Sequence, residues 1–161
     1  MTPADREQPW RDDETERGRV VLLTDNPISR AIATIAGTVG HEVVVIPDDD
    51  GGPRLGSLAL RQGDAVVVCD HDAPDAPAVL RDALASDASY VAMMASRRRA
   101  EGLLADLGAE GVPGLDKLHV PAGHNLGGKG PGEIALSVVA EIVAEAHQKS
   151  GGPMRTKLMP S

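Results

Sequence analysis

Four short apolar runs constrain this chain most: Val20-Val21-Leu22-Leu23, Val43-Val44-Val45-Ile46, Ala65-Val66-Val67-Val68-Cys69 and Tyr90-Val91-Ala92-Met93-Met94. They are continuous, not alternating. A strand that is apolar at every position is covered on both faces, which is the signature of a parallel sheet between helical layers. The intervening segments read as helices. Asn26-Pro27 offers a cap and a proline at the first helical position, followed by the stripe Ile28, Ala31, Ile32, Ile35, Val39 and a stop at Gly40. Val79, Leu80, Ala83 and Leu84 mark a second helix, and Ala100, Leu103, Leu104 and Leu107 the inner face of a third. A short strand is expected around His119-Val120. The last helix starts near Pro131, with Ile134, Val138 and Ile142 inward. Glu133, Ser137, Glu141 and Glu145 fall on another line, expected to face water. Strand–helix alternation predicts a doubly wound, three-layer, Rossmann-like α/β domain with a mainly parallel sheet.

The chain of 161 residues suits one such domain, expected over residues 19–148. The charged segment 1–18 and the Gly151-Gly152-Pro153 segment at 149–161 are expected to be flexible tails. With no Phe, one Tyr and one Trp, the core must be aliphatic. A net charge of −8 argues against a nucleic-acid partner. One cysteine, Cys69, rules out an internal disulfide framework and fits a reducing compartment. No apolar run approaches the roughly 20 residues of a membrane span, and no leader pattern opens the chain. The expected location is cytoplasmic.

In doubly wound sheets, ligands sit beyond the carboxyl ends of the strands. The first such loop, Thr24-Asp25-Asn26, lacks the glycines that let backbone approach a pyrophosphate, and Asp25 puts negative charge there. Asp48-Asp49-Asp50 either accepts from ribose hydroxyls or forms a solvated turn. Asp70, His71 and Asp72 are rim candidates after the third strand. Cys69-Asp70-His71-Asp72 suggests a metal or an acid–base group, but strand alternation would let at most two of the four converge without help from elsewhere, so no metal ligand is expected and Cys69 is read as core. Ser96-Arg97-Arg98-Arg99 opens a helix with three cations at its positive end. Basic charge there is unfavourable by about 0.3–1 kcal/mol each unless an anion lies between them; a solvated basic patch is the other reading. Pro121–Gly130 is a glycine-rich loop entering a helix, suited to close backbone approach or to a plain connector. It is not a Walker loop, because Gly130 follows Lys129.

Together these stretches resemble the C-terminal Rossmann-like domain of the XdhC/CoxI family, accessory proteins of xanthine dehydrogenase and other molybdenum hydroxylases. The resemblance rests on Tyr90-Val91-Ala92 through Ser96-Arg97-Arg98-Arg99, on His119-Val120-Pro121-Ala122-Gly123-His124-Asn125-Leu126-Gly127, and on Pro131-Gly132-Glu133-Ile134-Ala135-Leu136-Ser137-Val138-Val139-Ala140-Glu141-Ile142. Asp70-His71-Asp72 is similar to the family's T-H-D. Departures are the first loop, where the family has a G-A-G-type turn, Ala92 and Ala95 in place of glycines, Gly123-His124-Asn125 for G-L-D, and Gly130 and Gly132 for Thr and Glu.

The resemblance implies binding of molybdenum cofactor, a phosphorylated pterin, and its delivery to a molybdenum hydroxylase apoenzyme. Under it, Ser96, Arg97 and Arg98 grip phosphate, amides near Gly123 and Gly127 line the pocket, and Asp70, His71 and Asp72 contact the remainder. No catalytic residue is expected, and a homodimer is compatible. The alternatives are an oxidoreductase domain that binds NAD(P), and a degenerate scaffold that only contacts a partner protein.

Overall fold

The computed structural model describes residues 16–47 and 55–156. Asp48, Asp49 and Asp50 lie outside them, as does most of the first tail. Five strands form one all-parallel sheet: β1 (Arg19–Leu23), β2 (Glu42–Ile46), β3 (Ala65–Val68), β4 (Tyr90–Met93) and β5 (Leu118–His119). Their spatial order is β2-β1-β3-β4-β5. The helices are α1 (Pro27–Val39), α2 (Ala76–Ala85), α3 (Arg97–Glu110) and α4 (Pro131–Ala146). This is the doubly wound Rossmann-like architecture, with its switch point between β1 and β3.

Successive strand side chains supply opposite layers, as the pleat requires. Val21, Leu23, Val66, Val68, Val91 and Met93 pack with Val79, Leu80 and Leu84 of α2 and Leu107 of α3. Val20, Leu22, Val67 and Ala92 pack with Ile32 and Ala36 of α1 and Val138 and Ile142 of α4. The α3 face differs from expectation at Leu104, which is 40% exposed, while Ala100 and Leu107 are buried. The helix needs only a narrow stripe to cover the short β4, and Leu104 falls beyond it.

At the amino edge of the sheet, Asp64 is fully buried and binds Arg19 through a 2.5 Å ion pair. It also accepts from the backbone N–H of Arg19 and Arg61. Burial alone would raise the Asp64 carboxyl, but these donors outweigh it and hold the group below the ordinary carboxylate range. This cluster ties the start of β1 to the start of β3. Among the described residues, no helix is long and apolar enough to cross a membrane.

Candidate functional site

At the carboxyl ends of β1 and β3 the crevice is closed by the chain's own groups. Asn26 caps α1: its side chain accepts from the Ser29 N–H at 2.9 Å, and its own N–H donates to Ser29 Oγ at 2.8 Å. Its Nδ2 reaches across the switch point to the Cys69 carbonyl at 3.3 Å. The Cys69 N–H donates in turn to the Leu23 carbonyl. Asp25 pairs with Arg30 at 2.9 Å on the outside. An N-terminal amide that usually meets a pyrophosphate is thus already occupied, as expected for a loop without glycine. Cys69 is buried, and burial together with the neighbouring Asp70 charge pushes its thiol up to about 12.

After β3 the chain turns sharply. Asp70 Oδ1 accepts from the Asp72 N–H at 3.0 Å, and His71 Nδ1 lies 3.7 Å from Asp72 Oδ2. One ligating atom from each of Asp70, His71 and Asp72 falls within 4.8 Å of the others. Strand alternation argued against such convergence. It does not apply, because the strand ends at Val68 and these residues sit in a turn. Asp72 also accepts from Arg99 at 3.1 Å, which links this loop to the arginine helix.

The three arginines diverge. Ser96 is the N-cap of α3, its hydroxyl accepting from the Arg99 N–H at 3.1 Å. Arg97 lines a cleft of about 380 Å³ with Met94, the Pro121–Lys129 loop, Ile134 and Ser137. Arg99 and His71 line a separate groove between α2 and α3, with Arg81, Asp106 and Glu110. Arg98 is exposed and lines neither. Of the residues singled out from the sequence, the structure brings Arg97, Gly123 and Gly127 to one cleft and His71 to the other. Ser96, Arg98, Asp70 and Asp72 line neither.

The 380 Å³ cleft carries Arg97, Lys129 and His124, and none of its lining residues is acidic. Its loop is pinned at the start by the Ala122 N–H donating to the Met93 carbonyl at 3.0 Å, and next by the His124 N–H donating to the Ser137 carbonyl at 3.1 Å. Gly123 has φ of +97°, and a Cβ there would stand 2.4 Å from Ser137 Oγ, so only glycine fits. The α4 N-cap, Gly130, makes no side-chain cap hydrogen bond. Glu133 in the first turn of α4 packs on Gly128 and offsets the positive helix end. Attraction for an anion in the cleft therefore rests on Arg97 and Lys129.

Behind this loop lies a buried polar network that the periodicity of α4 did not suggest. Ser137 and Glu141 were expected to face water, yet Ser137 is buried and the Glu141 side chain is 12% exposed. Glu141 Oε1 accepts from Tyr90 Oη at 2.6 Å and from the Gly123 N–H at 3.1 Å. His119 Nδ1 stands 3.4 Å from the same oxygen, and His124 Nδ1 4.0 Å from Oε2. The Tyr90 and His119 rings stack with centroids 4.5 Å apart. Burial would raise the Glu141 carboxyl, but bonds from His119, Tyr90 and Gly123 prevail and lower it. Burial would lower His119, and the bond and charge of Glu141 reverse this, raising it. Burial and the Glu141 charge push the Tyr90 phenol up. Tyr90, the one tyrosine of a Phe-free chain, and two histidines flanking one loop were the available signals. The Gly123 amide expected to line the pocket is instead bound to Glu141.

The fold and this cleft define a Rossmann-like α/β domain whose cationic site sits away from the usual switch point. The chain belongs to the XdhC Rossmann domain family, whose model matches residues 20–142. It is 28% identical over 166 residues to an Escherichia coli protein named uncharacterized protein YqeB, covering 90% of this chain and 30% of that one. It is also similar to the crystal structure of a Bacillus halodurans protein described as a xanthine dehydrogenase. That match has a TM-score of 0.67 and 22% identity, and covers 87% of this chain and 46% of the other. The chain thus spans less than half the length of either relative.

Proposed function

We propose that this chain is an accessory domain for a molybdenum hydroxylase, and that its 380 Å³ cleft holds the phosphate end of molybdenum cofactor. The carrying observation is that the cleft presents Arg97 and Lys129 with no lining carboxylate, on a chain of net charge −8. Family membership supports the accessory role. The donor set fits a phosphorylated ligand: a guanidinium that can bind phosphate in a fork, an ammonium, and a glycine loop that permits close approach. The cleft also falls within the roughly 300–1,000 Å³ of small-molecule sites. Arg97 grips the phosphate oxygens, and the loop around Gly127 closes on the ligand. Ser96 supports Arg97 by capping its helix. Asp70, His71 and Asp72 remain candidates for the far end of the ligand, since Asp72 and Arg99 join their loop to the same helix. The cofactor is cargo here, its molybdenum serving the recipient apoenzyme.

Titration of the purified protein with isolated molybdenum cofactor tests this reading. Loss of a charge-assisted contact costs about 1.5–3 kcal/mol, so Arg97→Ala is expected to weaken binding by about ten- to a hundredfold. Unchanged affinity would sink the assignment.

One observation favours a second reading, a scaffold that contacts a partner without binding any ligand: Asn26 seals the switch point. Recovery of a complex with the hydroxylase while Arg97→Ala and Lys129→Ala leave that complex intact and the cleft stays empty would support it. The same seal weighs against an NAD(P)-binding oxidoreductase; calorimetric binding of NADH would restore that alternative.

A further inference from the structure

Lys129 lines the cleft with Arg97, but it stands on a stretch of loop with little internal order. Among the described residues, no backbone hydrogen bond is donated by residues 125–129. The path of that stretch is therefore set where it is anchored, at the start of α4 and at Ala122, Gly123 and His124. The Ala122 and His124 N–H groups donate to the main-chain carbonyls of Met93 and Ser137. The Gly123 N–H, between them, donates instead to a side chain, Glu141 Oε1 at 3.1 Å. Gly123 is also where the loop turns, with φ of +97°. That turn thus depends on a residue 18 positions away. Glu141 is itself held from outside α4. Tyr90 Oη donates to the same oxygen at 2.6 Å. The Tyr90 ring is fixed in β4 and stacked on His119 of β5, with centroids 4.5 Å apart. A glutamate side chain rotates about three bonds, and a short bond from a rigid phenol selects where its oxygen lies.

We propose that Tyr90 is a positioning residue of the anion cleft: acting through Glu141, it fixes the Gly123 turn and so the reach of Lys129 toward an anion held by Arg97. The inference deepens the reading of this cleft as an anion site and rests on it. A carboxylate behind an anion site is unfavourable by simple charge. Its position becomes intelligible as a shared acceptor. A carboxylate takes several donors at once, and hydrogen bonds to it are about twice as strong as neutral ones. One oxygen can therefore join the sheet, through Tyr90, to the loop, through Gly123.

Sulfate at low ionic strength is the probe, followed by amide NMR at Gly123, Gly127 and Lys129. Tyr90→Phe keeps the ring and its stack on His119 and removes only the donor. It is expected to weaken sulfate binding by about three- to tenfold and to move the Gly123 signal, while the signals of β1 and β2 stay in place. Glu141→Ala is expected to weaken binding at least as much. In that background Tyr90→Phe should add nothing, because its route to the loop is gone. Glu141→Gln keeps a carbonyl acceptor for Tyr90 and Gly123 and is expected to bind within about twofold of the wild type. Wild-type affinity in Tyr90→Phe, or additive losses in the double variant, overturn the inference. If Glu141→Ala does not fold, Tyr90→Phe decides by itself. Absence of sulfate binding by the wild type instead removes the anion cleft on which the inference rests.

Discussion

Glu141 and Asp64 are two buried carboxylates with different duties. Asp64 is surrounded by permanent donors, the Arg19 guanidinium and two backbone amides. Removing Arg19 leaves a buried charge short of its main partner. Arg19→Met is therefore expected to destabilise by about 3 kcal/mol or more, measured by urea unfolding. A loss under about 1 kcal/mol would show that the backbone donors suffice. Glu141 has titratable partners, so its contribution varies with pH. The lowered Glu141 contributes stability above the ordinary carboxylate range, and loses it as pH falls through its folded value. The raised His119 contributes fully below the ordinary histidine range, and loses it as pH rises through its folded value. Their joint contribution is thus greatest between about pH 4.5 and about pH 6.5. Thermal unfolding of the wild type is expected to show Tm falling from pH 6 toward pH 8, with a flatter profile in Glu141→Gln; parallel profiles would refute the coupling. Gly123→Ala is expected to cost more than about 1 kcal/mol, since positive φ and Ser137 both oppose a side chain.

At the scale of elements, sequence patterns located nearly every strand and helix, because continuous apolar runs and capping signals act locally. Asn26-Pro27 and Gly40 bound α1 as their chemistry requires. Asn26→Ala should lower stability by about 1 kcal/mol through loss of the cap, and by more if the bridge to the Cys69 carbonyl matters, as equilibrium denaturation would show. The site was less legible. Three adjacent arginines read as one cluster in sequence, yet helical spacing of about 100° per residue sends Arg97 to the cleft, Arg99 to Asp72 and Arg98 to neither. Ser137 and Glu141 read as a solvent stripe because periodicity counts polarity, not partners. Their burial depends on Tyr90 and Gly123, distant in sequence and joined only by the fold. Asp70, His71 and Asp72 converge because they sit in a turn beyond the end of β3, closed by the Asp72 N–H on Asp70, where strand alternation no longer applies.

At the scale of the molecule, the sheet separates a structural edge from a binding edge. The amino edge is locked by Arg19 and Asp64, and the carboxyl edge carries the cationic cleft to one side of a sealed switch point. That seal has a practical corollary. Cys69 sits under the Asn26 bridge, and is the chain's single thiol, buried and with its pKa at about 12. A thiol held in that form reacts only when the end of β3 parts from α1. Alkylation timed against denaturant would then act as a built-in stopwatch for the opening of the crevice, with no label to introduce and no competing cysteine to mask.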